Sequence, residues 1–272
     1  MKYLSRYGFA LAFAAFALTS ETASARNSAG EDWQVVRGAE PGSIVAAAGF
    51  DNGISLIARC SRTVFDLILT GLPEATGRDV ARELIFIVDD EPDEKHTAWT
   101  VGDDRSVAFS RLPALIARQL ADGGNLQIII PATPGGRRTR YVMELSRSDS
   151  AIEETLTACG RPLVDPRDNR IEGDGIRLPT GITWRSQPRP EFPTAAFGIT
   201  SYGYATLSCV TGAQGKAEEC QIESEQPPGL DFGRAALRAT RAARLGQSDE
   251  ARAAGRPFEG ELIVFTTEFR LR

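Results

Sequence analysis

The stretch "SCVTGAQGKAEECQIES", Ser208 to Ser224, places two of the chain's 4 cysteines on either side of a turn that contains Gly212 and Gly215. A hairpin register that sets Cys209 opposite Cys220 also pairs Val210 with Glu219 and Leu207 with Ile222, with Gln214 and Gly215 at the tip. Side chains alternate faces along a strand, so Leu207, Cys209, Cys220 and Ile222 share one face, and that face is apolar. A directly opposed, non-hydrogen-bonded pair brings Cα atoms to about 4.5 Å, at the short end of what a disulfide spans. The spacing predicts a Cys209–Cys220 bond, which removes both sulfurs as nucleophiles.

A stable disulfide needs an oxidising compartment, and the other end of the chain points to one. In "MKYLSRYGFALAFAAFALTSETASA", Lys2 and Arg6 precede an apolar run from Gly8 to Leu18, and the segment ends in Ala23-Ser24-Ala25. A charged head, a short apolar stretch and a small-residue ending follow the order of a secretory signal peptide. The run is shorter than the ~20 apolar residues that a membrane span needs. We expect residues 1–25 to be removed near Arg26, leaving a periplasmic chain with no stable membrane insertion. In that compartment the other two cysteines can pair as well. Cys60 ends the strand-like "ISLIARC"; Cys159 ends "SAIEETLTAC", where Ile152, Leu156 and Cys159 share a helical face. A Cys60–Cys159 bond is expected to fasten that helix onto a sheet.

Of the 272 residues, 42% are hydrophobic and 25% charged, the proportions of an ordinary globular protein. A formal charge of −5 argues against nucleic acid as a partner, since such binders present a basic face. Residues 26–163 read as a β-rich antiparallel domain. Asn52-Gly53 joins "SIVAAAGF" to "ISLIARC" in the strongest short hairpin signal, one that asks for positive φ at both central residues. Strand candidates follow at Thr63–Leu72, Glu83–Asp90, Thr97–Gly102, Arg105–Ser110, Leu126–Pro131 and Arg140–Ser146. One helix carries Leu112, Leu115, Ile116 and Leu120 and stops at Gly123-Gly124; the other spans Asp149 to Cys159. Residues 164–187, rich in proline, glycine and charge, read as a linker. Residues 188–272 then read as strand, strand, helix, strand, with Asp231 as a helix N-cap and Phe232, Ala236, Thr240 and Ala243 as the buried stripe. The fold class is α+β, its second part a helix across a three-stranded antiparallel sheet.

The chemistry-bearing residues are few. His96 is the only histidine and follows the acidic run Asp89, Asp90, Glu91, Asp93 and Glu94. It reads as a solvated loop residue, because a catalytic triad needs a matched nucleophile and orienting acid. The acidic run lacks the spacing and central glycine of a calcium loop and reads as a hairpin tip. Arg234, Arg238, Arg241 and Arg244 recur at helical spacing as a candidate electrostatic face, open to an acidic partner or paired with Glu218, Glu219, Glu223 or Glu225. No catalytic group, metal site or cofactor is expected.

The ordered features from about Pro188 to Arg272 resemble the C-terminal domain of the TonB family. They are Phe192-Pro193, Gly203 before a strand, Gly215 in the turn, Leu230 and Asp231 opening a helix with Ala235 and Ala236, the Gly255 and Pro257 step, and a last strand with Phe265. The resemblance implies a periplasmic β-α-β module that takes an extra strand from a partner. The chain departs from the family in having no long proline-rich spacer and in carrying a separate N-terminal part. That part is distantly similar to small periplasmic proteins of the invasion-associated locus B type.

These readings lead to a non-catalytic, periplasmic protein-binding protein tied to envelope transport. Its partner, an envelope protein, would add a strand at the edge formed by Leu262 to Leu271, with Leu262, Ile263, Val264, Phe265 and Phe269 as the binding residues. The alternatives are an anchored TonB-type energy transducer, and an enzyme of unknown type in the N-terminal domain.

Overall fold

The computed structural model describes residues 33–38, 42–76, 80–89, 94–132, 137–171 and 178–271. The signal-like segment 1–25 lies outside them, as do Asp90, Glu91 and Asp93 of the acidic run. Mixed α and β structure with antiparallel sheets fills the described residues.

Short alternating segments build the first sheet. Its strands are β1 (Gln34–Arg37), β2 (Ile44–Gly49), β3 (Ser55–Ser61), β4 (Val64–Thr70), β5 (Ala81–Val88), β6 (Lys95–Val101), β7 (Ala108–Ser110), β8 (Gly124–Ile130) and β9 (Thr139–Leu145). They hydrogen-bond in the order β1-β2-β3-β4-β7-β6-β5-β8-β9, every neighbouring pair antiparallel. At the first hairpin Gly53 takes the left-handed region with φ 84°, but Asn52 does not. Its side-chain Oδ1 instead accepts the Ile54 amide at 3.1 Å, which closes the turn through an Asx contact.

Two helices, α1 (Pro113–Ala121) and α2 (Asp149–Ala158), cover one face of this sheet, α2 over β2 and β3 and α1 over β4 and β7. Leu56, Ala58, Phe65, Leu67, Leu84, Trp99, Leu126 and Ile128 supply the sheet side of the resulting core, and Ile116, Leu120, Ile152 and Leu156 the helix side. Phe86 stacks on Trp99 with ring centroids 5.5 Å apart. A disulfide between Cys60 of β3 and Cys159 at the end of α2 ties helix to sheet.

A second core lies in the C-terminal part. Strands β11 (Tyr202–Thr211), β12 (Ala217–Gln226) and β14 (Leu262–Arg270) form a three-stranded antiparallel sheet in the order β12-β11-β14. Helix α3 (Phe232–Thr240) crosses β11 and β12. Gly203 is what lets it approach: a Cβ there would fall 2.2 Å from the Phe232 ring. Phe232 meets Phe192 and Phe269 edge-on, at 5.5 and 5.0 Å.

Several boundaries differ from the sequence reading. Leu207 faces Ile222, but Val210 faces Glu218 and not Glu219, because Glu219 is extruded at φ 48° as a bulge. Cys209 and Cys220 are bonded across that irregularity, their Cα atoms 4.1 Å apart. Helix α3 stops at Thr240, and residues 244–247 become strand β13 (Arg244–Gln247), followed by α4 (Asp249–Ala253). Arg244 donates to the carbonyls of Arg241 and Ala243 and so closes the turn, while Leu245 enters the second core. The partner of β13 is β10 (Ile182–Ser186), inside the segment read as linker. Linker-like composition there reflects tight turns around a short strand whose Ile182 is buried and whose Trp184 meets Phe265 edge-on at 5.0 Å.

The two disulfides close loops of unequal length, with sequence separations of 99 and 11. In the chain-entropy picture a longer loop loses more freedom when bridged. Replacing Cys60 and Cys159 with alanine is expected to cost about 4.7 kcal/mol, against roughly 3 for Cys209 and Cys220. Urea unfolding of both double variants checks the order; equal or reversed losses would show that native packing, not loop closure, sets it.

Candidate functional site

The last strand of the three-stranded sheet pairs only with β11 among the described residues, so one side of its backbone is an edge. The register shows which groups line it. Thr211 donates to the Glu261 carbonyl and Leu271 to that of Ser201, so the odd-numbered residues from 261 to 271 turn their N–H and C=O toward β11. The outward set is therefore Leu262, Val264, Thr266, Glu268 and Arg270.

Burial divides this edge in two. Leu262, Ile263, Val264 and Phe265 are at most 5% exposed, whereas Thr266 is half-buried and Glu268 and Arg270 are exposed. Ile263, Phe265 and Phe269 point into the second core. The residues expected to form the binding edge are thus largely structural, and the accessible backbone runs from Thr266 to Arg270.

The opposite face of this sheet, which carries Tyr204, Thr206 and Ser208, packs toward the N-terminal sheet and α1: β12 contacts both β4 and α1. Strand β4 is buried on both sides, with Phe65, Leu67 and Leu69 in the first core and Asp66 and Ile68 on the other face. Hydrogen bonds stitch this seam. Ser224 Oγ donates to the Arg111 carbonyl at 2.8 Å. Arg161 donates to the Ile222 carbonyl and to Gln221 Oε1, and pairs with Glu223 at 3.4 Å. Glu223 in turn accepts from the Ser208 hydroxyl. Arg170 reaches the Gly260 carbonyl, and Arg118 holds Asp168 through two bonds of 2.5 and 2.7 Å.

Asp66 is the most constrained charge in the seam, 3% exposed and bonded to Arg59 Nη2 at 2.6 Å. Burial raises its carboxyl above the usual range; Arg59 opposes the shift and Glu225 adds to it. Tyr204 is fully buried, and that burial pushes its phenol up as well. The Arg111 guanidinium lies 5.2 Å from its ring centroid.

The other sequence candidates fall outside this seam. Arg234 pairs with Asp231 at 3.0 Å through Nε, Arg238 and Arg241 are exposed, and Arg244 caps backbone carbonyls, so the four do not form one helical stripe. None of the expected glutamates pairs with Arg234. Glu225 accepts the amides of Gly229 and Gly233, both at 2.7 Å, and so caps α3 from the neighbouring strand. Asp231, at φ 67°, stands at the N-cap position but makes no side-chain cap. His96 is in strand β6, not in a loop, with Nδ1 2.7 Å from Glu83 on β5 at the surface. Among the described residues no group of His, Cys, Asp or Glu is placed to hold a metal ion, and no helix is long and apolar enough to cross a membrane. No family model matches the chain, and no curated protein sequence matches it.

Neither the seam nor the residues Asp66, Thr100, Arg111, Tyr204 and Gln226 that meet there were singled out from the sequence. Their one trace is the alternation Tyr202, Tyr204, Thr206, Ser208, a polar row on a strand whose other face is apolar.

Because its carboxyl is raised in the fold, Asp66 binds its proton more tightly in the native than in the unfolded chain. Stability tied to it is present at low pH and is lost as pH rises from about 3.9, the ordinary aspartate value, through the folded value. Asp66→Asn keeps an acceptor for Arg59 and removes the titration, so its stability relative to the wild type is expected to grow with pH across that window. Urea midpoints over a pH series test this; parallel profiles would rule it out.

Proposed function

We propose that this chain is an extracytoplasmic, non-catalytic protein-binding protein that takes an extended segment of an envelope protein onto β14. The observation that carries the reading is the row of outward backbone groups at Thr266, Glu268 and Arg270, on an edge that no described strand covers. Unpaired strand amides and carbonyls seek a partner strand; natural proteins otherwise cover or blunt them. Two disulfides suit a chain that works in an oxidising compartment. The order of residues from Phe192 to Phe265, similar to the TonB C-terminal domain, supports the same mode of binding.

The short accessible stretch sets the terms of recognition. A partner strand would bond to three outward residues, which gives modest affinity, and charge would supply selectivity through Glu268 and Arg270. The N-terminal half of β14 contributes rigidity, since its side chains are anchored in the interior.

The test is a photo-crosslinking amino acid at Glu268, in the chain expressed with its signal segment. A discrete crosslinked partner is expected. Thr266→Pro removes an outward N–H while leaving the backbone ladder to β11 intact, since proline is tolerated on a strand edge, but it also removes the hydroxyl that lies 3.0 Å from that of Thr206; it is expected to abolish the crosslink, whereas Thr266→Val, which loses the hydroxyl alone, is expected to keep it. A crosslink that survives Thr266→Pro in a folded protein would sink strand addition at this edge.

A further inference from the structure

The N-terminal sheet does not close on itself, and among the described residues it ends in two edge strands, β1 and β9. The Asp89 N–H donates to the Asn125 carbonyl, so the odd-numbered residues of β8 turn their backbone toward β5 and the even-numbered ones toward β9. Leu126 lies opposite Met143 and Ile128 opposite Tyr141, which leaves Arg140, Val142 and Glu144 with N–H and C=O groups directed away from the sheet. All three residues are exposed, the apolar Val142 by 52%. The other side of the strand is anchored, with Met143 and Leu145 buried in the first core and Tyr141 packed against it.

Charges on a strand edge normally block pairing, but here they follow a pattern that one partner satisfies. Arg140 and Glu144 flank Val142 at equal spacing, about 13 Å apart along the strand and out of each other's reach. Glu144 has no ion pair among the described residues, and the hydrogen bond of Arg140 goes to the neutral Gln127 side chain at 2.6 Å. An antiparallel second copy of the strand, related by a two-fold axis through Val142, sets Arg140 of each chain against Glu144 of the other and the two valines against one another. Each of these pairs then exchanges both backbone bonds. Moving the axis by two residues brings two arginines or two glutamates face to face, which is unfavourable. The other free edges lack this self-complementarity. Strand β1 is only 4 residues long, and its Arg37 is already paired with Glu154. On β14 an axis through Glu268, the centre of the outward row, opposes two glutamates. We propose that β9 is the interface between two copies of this chain, joined antiparallel through Arg140, Val142 and Glu144 into one continuous sheet. The interface does not depend on strand addition at β14.

Sedimentation velocity of the purified protein over a concentration series tests it, and a monomer–dimer equilibrium is expected. Val142→Pro removes one outward N–H and leaves the ladder to β8 in place, so it is expected to abolish the dimer while circular dichroism shows the fold intact. Arg140→Glu and Glu144→Arg are each expected to weaken self-association about tenfold, since each turns both opposite-charge pairs into like-charge pairs. An equimolar mixture of these two variants is expected to dimerise at least as well as the wild type, because every charge pair is then opposite in sign. Mere damage to the strand gives no such rescue. Thr266→Pro is expected to leave the dimer unchanged. A protein that stays monomeric up to about 1 mM, a mixture no better than its components, or a dimer that folded Val142→Pro retains or Thr266→Pro dissolves would overturn the proposal. So would assembly past the dimer, which a closed two-fold interface forbids.

Discussion

A sheet face that is both polar and buried constrains everything packed against it, and the row Tyr204, Thr206, Ser208 is such a face. Each unmet polar atom there would cost free energy comparable to a lost hydrogen bond. The chain meets several of them, within the sheet and across the seam. Thr206 and Thr266 hydroxyls lie 3.0 Å apart, Ser208 is held by Glu223, and Glu223 by Arg161 from the segment that follows α2. Ser224 closes on the backbone at Arg111, just before α1. The two parts are therefore joined by directional bonds from Arg161 and Ser224 and do not merely touch. Their relative position is set by directional bonds, which fix register better than an apolar interface of the same size.

The same packing decides what remains free on β14. Its first half is withdrawn from solvent and its second half emerges with Thr266, Glu268 and Arg270. Long, flat, apolar edges invite indiscriminate pairing, and charged side chains on a short edge are a common protection. Here the apolar part of the strand is the covered part, and the exposed part is charged. An edge of this design is protected against indiscriminate pairing.

Much of the secondary structure was legible because it rests on local rules. Alternation in "ISLIARC", the short apolar run of "ELIFIVDD", the Gly123-Gly124 stop after α1 and the apolar face of α2 all act over a few residues. The readings that failed depend on partners far away in sequence. Strand β10 is held by β13, 63 residues on at the Thr183 contact with Gly246. The bulge at Glu219 shifts the hairpin, and helix α3 is capped by Glu225 from a strand, in place of Asp231 beside it. The exposed edge was the least legible part. Leu262 to Phe265 look like an edge by hydropathy alone, but an edge is defined by what lies beside it, and only the assembled fold supplies that.

The exposed half of β14 is tied to the seam through its neighbour β11. Tyr202 pairs with Arg270 and Tyr204 with Glu268, so the strand that carries the polar row lies directly beside the exposed edge. Arg270 lies 5.7 Å from the Tyr202 ring centroid, and Glu268 joins burial in raising the Tyr202 phenol. A change of charge at Glu268 or Arg270 is therefore felt at Tyr202, two residues before Tyr204 on the strand that the seam holds in place.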